Sequence, residues 1–533
     1  MTACAAGGAY AQCSASWLSG AGTIGSPGIG GNTARCLLVM PNSDVIVGGS
    51  FTIAGGVAVQ RIARFSASTS TWSPVGSGAT STSNVYALAA LPDGDMLVGG
   101  NISMIGGVPV ARIARYDAQT DTYSPLGAGL TGGGQVTTIL PLPGGDVIVG
   151  GTITQVAGIN VHHIARYNLN TGVWSSTNSM FTSSGDVVND LALAPDGTVI
   201  VGGIFFNAGG TSGALRIARY NPVTGAWSAL GAGVNSTVNS VLVLPDGDVL
   251  AGGSFTSAGG VAVNRVARYN PSSNAWSALG SGVSSAGSAT VDDMALLPSG
   301  DVVMGGTFTS AGGVGASRIA RYRPSTNEWF AMGSGLNSDV NAVGVTPVGD
   351  AVTVGVFTTA GGAASARAAR YRFGGDAIAI AVHPSDTTAC VGSGAALTAA
   401  GQGAGPFGYQ WRRGGVPISY ATNPTANAPT LVILSPVVGD AGTYDCVVSN
   451  ACGSLTTNPA MLTVNESCCD SLDFNTDGLY PDTADIDDFL SVFSGGPCST
   501  GACADLDFNN DGLFPDTTDI DALLSVFSGG PCL

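Results

Sequence analysis

With 533 residues, the chain is long enough to form two to four domains. Only 10% of its residues are charged and 44% are hydrophobic, which excludes an intrinsically disordered chain. The net charge is −17 and the 18 basic residues form no basic patch, so we expect no nucleic-acid partner.

Cysteine distribution indicates the compartment. Eight of the 11 cysteines lie in the last 144 residues, a density typical of disulfides formed in an oxidising environment. No apolar run reaches the roughly 18 residues of a membrane-spanning helix, so no transmembrane segment is predicted. The sequence begins without the charged and apolar regions of a signal peptide. We expect a secreted, extracellular or cell-surface protein whose signal peptide is not present in this chain.

After an N-terminal segment, residues 1–13, one unit recurs throughout residues 17–371. Its plainest copy contains the strings Leu242–Gly253, Arg265–Tyr269 and Trp276–Gly280. The second arginine of an Arg-x-Ala-Arg step marks the period, and successive arginines are 49 to 53 residues apart. The seven copies of this arginine are Arg64, Arg115, Arg166, Arg219, Arg268, Arg321 and Arg370.

Each copy contains four strand-like runs separated by turn signals, and no helical period interrupts them. Asp-Gly between alternating apolar residues predicts a two-residue hairpin, because both residues tolerate a positive φ. Four short strands about every 50 residues are typical of a propeller blade. The sequence therefore predicts a seven-bladed β-propeller over residues 14–375.

Closure of the ring is predicted from the aromatic residue of the fourth strand. The copy ending at Tyr371 lacks this aromatic, whereas Trp17 precedes the first copy. We therefore expect Trp17 to Gly20 to supply the outer strand of the last blade, because an unclosed propeller would expose strand edges.

The repeat resembles the delta-60 type and, more loosely, kelch-like propellers. The strings that carry this resemblance are Leu244–Gly260 and Arg318–Tyr322. The resemblance implies a fold and no activity, since propellers host many functions. Arginines that recur in every copy are interpreted as structural, bound to turn carbonyls or to an aspartate.

One set of polar residues is a candidate ligand face at the mouth of the channel. In each copy this residue lies six positions before the turn, on the strand expected to be innermost. Asp190 and Asp293 are adjacent to two members, and a solvated rim is the alternative interpretation. The candidates are Arg35, Tyr86, Thr137, Asn189, Asp190, Asn239, Asp292, Asp293 and Asn341.

Residues 379–465 resemble an immunoglobulin-like β-sandwich. Trp411 matches the core tryptophan, and Asp440 to Cys446 matches the D-x-G-x-Y-x-C string with its tyrosine corner at Tyr444. The position that usually holds the partner cysteine falls near Ala399, so Cys446 is expected to lack its usual partner. We interpret this domain as a spacer.

Residues 469–498 and 503–532 align at an offset of 34 without a gap. Each copy contains D-x-N-x-D-G, which places oxygen ligands at alternate positions before a turn glycine, as Ca²⁺ requires. An amphipathic helix is predicted after each loop, with its apolar stripe at Ile486, Phe489, Leu490 and Phe493 in the first copy. The predicted ligands of two calcium ions are Asp473, Asn475, Asp477, Leu479 through its carbonyl, Asp482 and Asp485, and then Asp507, Asn509, Asp511, Leu513, Asp516 and Asp519.

This module, residues 469–533, resembles a dockerin, although its closing aspartate stands at loop position 13 and not 12. The resemblance implies a protein docking partner, by analogy a cohesin or a cell-surface component. Cysteines bracket each copy at the same spacing of 29 and predict the disulfides Cys469–Cys498 and Cys503–Cys532. The pairing of Cys4, Cys13, Cys36, Cys390, Cys446, Cys452 and Cys468 stays open.

The predicted fold is mainly β: a seven-bladed propeller closed by an N-terminal outer strand, an immunoglobulin-like sandwich, and a small α calcium-loop–helix doublet. We favour a non-catalytic binding or adhesion protein that presents a glycan or protein ligand site and attaches through the doublet. A glycan-active enzyme would need Asp190, Asp292 and Asp293 to converge. A structural surface-layer component would have no concave ligand site.

Overall fold

The chain is mainly β over the residues that its computed structural model describes, with two α-helices, Thr483–Phe493 (α1) and Thr517–Phe527 (α2). The described residues are 12–13, 15–20, 22–179, 181, 183, 185–211, 213–376, 378–402, 406–450, 453–465, 483–497 and 517–527.

Seven four-stranded antiparallel sheets, here called sheets 1 to 7, follow one another along the described chain. In sheets 1 to 6, all four strands come from one copy of the repeat, in chain order across the sheet. The strands of sheets 1 to 3 are Ala34–Val39, Val45–Gly49, Ile62–Ser66 and Thr71–Pro74; Val85–Ala90, Met96–Gly100, Ile113–Asp117 and Thr122–Pro125; and Val136–Pro141, Asp146–Gly151, Ile164–Asn168 and Val173–Ser176.

The later sheets repeat this order, and sheet 7 takes its fourth strand from the N-terminal part of the chain. Trp17 lies opposite Tyr371 in that pairing. The strands of sheets 4 to 7 are Val187–Leu193, Val199–Ile204, Ile217–Tyr220 and Trp227–Ala229; Val238–Val243, Val249–Gly253, Val266–Asn270 and Ala275–Ala278; Val291–Leu296, Val302–Gly306, Ile319–Arg323 and Glu328–Ala331; and Val340–Val345, Ala351–Gly355, Ala368–Arg372 and Ser16–Leu18.

The first strands of successive sheets lie side by side, and the first strand of sheet 7 lies beside that of sheet 1. A hydrogen bond connects the first strands of sheets 7 and 1: Asn341 donates from Nδ2 to the carbonyl of Ala34 at 2.7 Å. First strands surrounded by outer strands are the arrangement of a propeller-type domain.

Apolar side chains of adjacent sheets form the core. The central strands are buried on both faces, and every residue of Val45–Gly49 and of Val249–Gly253 is buried. The fourth-strand tryptophan closes the outer edge of this core: Trp276 donates from Nε1 to the carbonyl of Leu230 on the preceding sheet at 2.9 Å, and Trp329 bonds Leu279 in the same way. In these sheets the aromatic that marks the repeat therefore binds one sheet to its neighbour, whereas the buried Nε1 of Trp72 has no hydrogen-bond partner among the described residues.

The turn after the first strand differs from the two-residue turn predicted at Asp-Gly. The amide of Gly94 donates to the carbonyl of Leu91, and Leu91 N–H donates to Asp95. Only Gly94 has a positive φ, 90°, so the loop has three residues and ends in a left-handed glycine. Two consecutive positive φ values also occur at Gly55-Gly56, in a small hairpin of Ile53–Ala54 and Val57–Ala58 that was not predicted from the sequence.

The repeated arginines have the structural role expected of them. The second arginine of each step pairs with an aspartate of the turn after the first strand, while the first donates to backbone carbonyls, as Arg367 does to Ile29 at 2.9 Å. The ion pairs are Arg64–Asp44, Arg115–Asp95, Arg166–Asp146, Arg219–Asp196, Arg268–Asp248, Arg321–Asp301 and Arg370–Asp350.

The immunoglobulin-like domain has its expected core. Trp411 is fully buried, and Tyr444 donates from its hydroxyl to the carbonyl of Asp440 at 2.8 Å, which forms the tyrosine corner. Cys446 is free and packs in the same core as Ala399, as predicted, whereas Cys390 is disulfide-bonded. The strands are Ala379–Val382, Thr387–Cys390, Ala395–Thr398, Ala400–Gln402, Gly408–Arg413, Val416–Pro417, Thr430–Ile433, Gly442–Asn450, Gly453–Thr456 and Ala460–Asn465.

Helices α1 and α2 have the same length and, from Asp485 and Asp519 onward, the same pattern of exposure over two turns. Phe489 and its counterpart Leu523 are buried, but Leu490 and Leu524 are 42% and 45% exposed. The predicted apolar stripe is therefore divided between a buried side and an exposed side. The predicted disulfides of this module lie outside the described residues.

Candidate functional site

The seven residues predicted to rim the channel mouth occupy one structural position. In each sheet the pairing of the first and second strands shifts register at this residue, which makes it a β-bulge. Bulges turn a side chain away from the regular alternation of a strand and are common beside functional sites. We call this set the bulge ring: Arg35, Tyr86, Thr137, Asn189, Asn239, Asp292 and Asn341.

Four members of the bulge ring bind the next sheet. Asn189 donates from Nδ2 to the carbonyl of Val238 at 2.8 Å, and Asn239 donates in the same way to Val291 at 3.2 Å. Thr137 donates to the carbonyl of Val188, and Asn341 to that of Ala34. Each acceptor directly precedes the bulge of the following sheet. These four side chains therefore hold neighbouring first strands together, a structural role that the sequence analysis did not assign to them.

The other three members make no such bond. Arg35 is exposed and lies over the ring of Tyr86, with its guanidinium carbon 5.2 Å from the ring centroid. Asp292 accepts a hydrogen bond from Asn239 Nδ2 at 2.9 Å. Burial raises the pKa of the Asp292 carboxyl above its ordinary value.

Asp190 and Asp293 directly follow two bulges and bind backbone amides on both sides. Asp190 accepts from Leu191 N–H and from Val241 N–H of sheet 5, each at 2.8 Å. Asp293 accepts from Met294 N–H and from Val343 N–H of sheet 7, also at 2.8 Å each. Both carboxylates therefore connect the first strand of one sheet to that of the next.

The two carboxyls also influence each other. Burial raises the pKa of Asp190 to about 6, while burial together with repulsion from Asp190 raises that of Asp293 to about 7. Hydrogen bonds from the backbone amides oppose both shifts. Ser240, on the sheet between them, donates to Asp293 at 3.4 Å. The sequence analysis missed Ser240, although it holds the repeat position of Asp190 and Asp293.

Two of the predicted calcium ligands lie in described residues. Asp485 and Asp519 lie in the first turns of α1 and α2, and each is 1% exposed. The other predicted ligands lie outside the described residues: Asp473, Asn475, Asp477, Leu479, Asp482, Asp507, Asn509, Asp511, Leu513 and Asp516.

Two general features complete the description. Over the described residues, no three or more His, Cys, Asp or Glu side chains are grouped so that they could hold a metal ion. None of the helices that the structure describes is long and apolar enough to cross a membrane.

The fold defines a modular protein with propeller-type and immunoglobulin domains, and family models match both. A model of the Rax2 C-terminal beta propeller domain matches residues 228–347. The beta-propeller model of a domain of unknown function, DUF5122, matches residues 91–119 and 194–225. An immunoglobulin domain model matches residues 379–464. No curated protein matches the chain.

Similar solved structures contain immunoglobulin domains. The titin I-band fragment I67–I69 is 24% identical with a TM-score of 0.15, over 17% of this chain and 33% of that one. The titin M10 complex with the obscurin-like 1 immunoglobulin domain is 25% identical with a TM-score of 0.16, over 17% of this chain and 95% of that one. Sidekick-1 immunoglobulin domains 1–4 are 24% identical with a TM-score of 0.15, over 18% of this chain and 24% of that one.

Proposed function

We propose that this chain is a secreted or cell-surface binding protein that attaches to a partner through a calcium-dependent C-terminal doublet. In this proposal the seven sheets form one seven-bladed propeller, closed by Ser16–Leu18, that presents a glycan or protein ligand site at its channel mouth. The immunoglobulin-like domain separates the propeller from the doublet, which binds two calcium ions. A cohesin-like or other cell-surface protein is the docking partner.

One observation carries the calcium part of the proposal. Asp485 and Asp519, which are equivalent residues of the two copies, are both 1% exposed. A buried carboxylate is stabilised by hydrogen bonds, by an ion pair or by a metal ion. Burial of the same carboxylate in both copies supports a shared structural purpose, and the D-x-N-x-D-G string just before each helix supplies the oxygen-rich composition that Ca²⁺ prefers.

Docking is supported by the exposed side of the helices. Leu490 and Leu524 are equivalent residues and present 42% and 45% of their surfaces to solvent. An apolar surface repeated at equivalent positions of two helices is a surface that a docking partner would cover.

The calcium assignment is tested by measuring bound Ca²⁺ per chain in equilibrium dialysis. We expect two ions for the full chain and one for either Asp485→Asn or Asp519→Asn, because each variant weakens one site. Matched controls are Asp487→Asn and Asp521→Asn, which remove the same charge from exposed positions of the same helices. Unchanged stoichiometry in the first pair, or equal loss in the control pair, would contradict the assignment.

Binding is favoured over hydrolysis at the channel mouth. A glycan-active enzyme would need carboxyl groups free to reach a substrate. The oxygens of Asp190 and Asp293 instead accept backbone N–H groups from two first strands each. Their positions are those of structural links between sheets, which supports a binding role for the remaining polar groups of the bulge ring.

A further inference from the structure

The bulge ring is built from a repeated device, and its exceptions are all on one arc. Sheets 3, 4, 5 and 7 use the bulge side chain to bind the next first strand. Sheets 1, 2 and 6 carry Arg35, Tyr86 and Asp292, which do not. The first strands of sheets 6, 7, 1 and 2 are neighbours in that order. Asp292, Arg35 and Tyr86 therefore lie on one side of the ring, and Asn341 lies between Asp292 and Arg35. The structural bond is therefore missing at three positions on one side of the ring, where charged or aromatic side chains stand in its place.

Arg35 has unused binding capacity. Its guanidinium is exposed, and among the described residues it forms no hydrogen bond or ion pair, only the contact with the Tyr86 ring at 5.2 Å. The Tyr86 hydroxyl likewise has no hydrogen-bond partner within the described chain. The cation–π contact places the guanidinium beside the Tyr86 ring, and its N–H donors suit a carboxylate or a similar anion.

The rest of the ring presents acceptors. Asn189, Asn239 and Asn341 each use Nδ2 to bind the next sheet, and in the described part of the chain no donor reaches their Oδ1 atoms. Asp292 adds a carboxylate that is half-buried. Hydroxyl groups can donate hydrogen bonds to the asparagine Oδ1 atoms and to the Asp292 carboxylate. Because a hydroxyl is neutral, it adds no second negative charge beside that carboxylate.

We propose that the bulge ring binds an anionic sugar of the uronic acid class, with the sugar carboxylate on Arg35 and Tyr86 and its hydroxyls on Asp292 and the asparagine oxygens. This inference rests on the proposed binding function and specifies its ligand. Arg35 supplies the only guanidinium of the bulge ring and Asp292 its only carboxylate, so the sugar carboxylate is assigned to Arg35 and neutral hydroxyls to Asp292.

The test is calorimetric titration of the full chain with trigalacturonate and with its methyl ester, which has the same skeleton without the charge. We expect the acid to bind and the ester to bind at least tenfold more weakly. Arg35→Gln should weaken binding of the acid about tenfold or more, and Tyr86→Phe should weaken it less. A control is Arg323→Gln, because Arg323 also lies over an aromatic ring, 4.7 Å from the centroid of Phe330, but on the third strand of sheet 6. Arg323 also pairs with Asp301, so the unfolding temperature of this variant is measured together with its affinity.

Equal affinity for acid and ester, no binding of either, or an unchanged affinity in Arg35→Gln would each overturn the proposal. A ligand of another class that requires Arg35, such as a peptide carboxylate, would overturn it as well. The thermal unfolding temperature of each variant shows that a lost affinity is not a lost fold. Calcium stoichiometry, measured on the same protein, tests attachment separately, so failure of the sugar assignment leaves the attachment proposal standing.

Discussion

Arg370 donates from Nε to Asp350 at 2.7 Å, and the Asp350 side chain is completely buried. The equivalent pair in sheet 2, Arg115 with Asp95, has a carboxylate that is 13% exposed. Burial raises the pKa of Asp350, while Arg370 and then Arg372 oppose the shift. The same ion pair of the repeat is therefore more deeply buried in sheet 7 than in sheet 2. Its removal should lower the free energy of unfolding by different amounts in the two sheets.

Arg370→Ala should lower the free energy of unfolding by about 3 kcal/mol, because the substitution leaves a buried carboxylate without its main partner. Arg115→Ala should cost about 1 kcal/mol or less, because water can solvate the carboxylates that remain. Urea unfolding of both variants, followed by tryptophan fluorescence, measures the difference. Equal costs would mean that burial of Asp350 has no energetic weight.

A second prediction concerns the backbone at the first arginine of each step. Arg112 has a φ of 71°, and its equivalents, including His163, all lie between 60° and 71°. The left-handed region costs a non-glycine residue roughly 1–2 kcal/mol. Arg112→Gly should therefore be more stable than Arg112→Val by about 1 kcal/mol or more, although both lose the guanidinium. The two variants are compared by their midpoints of urea unfolding, provided that the unfolding free energy depends equally on urea concentration in both. A valine variant more stable than the glycine variant would contradict the proposed backbone strain.

The joining strand provides a third prediction. Trp17 is 9% exposed, donates to the carbonyl of Met332 at 2.9 Å and meets Tyr371 edge to face. Trp17→Ala should lower the free energy of unfolding by about 3–5 kcal/mol, the usual cost of truncating a buried tryptophan. Val223→Ala, at a position that is 91% exposed, should change it by less than about 0.5 kcal/mol. A small effect at Trp17 would show that its strand contributes little to the ring.

A fourth prediction follows from the two interacting carboxyls. The pKa values of Asp190 and Asp293, about 6 and about 7, exceed the ordinary value of 3.8. Between these limits the folded state binds protons that the unfolded state has released, so stability should fall as pH rises from about 4 to about 7. In Asp293→Asn this dependence should be flatter, whereas Glu328→Gln, at an exposed position, should leave it unchanged.

Unfolding temperatures at pH 5 and pH 8 measure this effect. The unfolding temperature of the parent chain should be higher at pH 5 than at pH 8. This difference between the two pH values should be smaller in Asp293→Asn. If the variant shows the same dependence as the parent, the pKa of Asp293 is not raised by folding.

Local chemistry explains which sequence predictions succeeded. Trp411 and the Tyr444 corner were predictable because each depends on residues close in sequence or on a specific motif. The role of the repeated arginines was also predictable, since a residue present in every sheet serves every sheet. The loop after the first strand was predicted with the wrong length, because Asp-Gly fits several turns and only the strand register selects one.

The candidate site could be predicted only in part. The spacing from the turn identified the seven bulge residues as one set, but nothing local shows that Asn189 or Thr137 would bind the next sheet. Those bonds join residues about 50 positions apart, as Asn189 to Val238 shows. Ser240 was missed because its partners lie on sheets 4 and 6.

By itself, the sequence determined the repeat, the immunoglobulin motif and the composition of the C-terminal loops, because periodicity and short motifs are written along one stretch of chain. Only the tertiary structure decided which polar side chains of the bulge ring are used by the fold and which are left for a ligand. Hydrogen bonds between adjacent sheets form only when strands distant in sequence lie side by side. Arg35 and Asn341 therefore occupy the same position of the repeat, but only Asn341 bonds the next sheet.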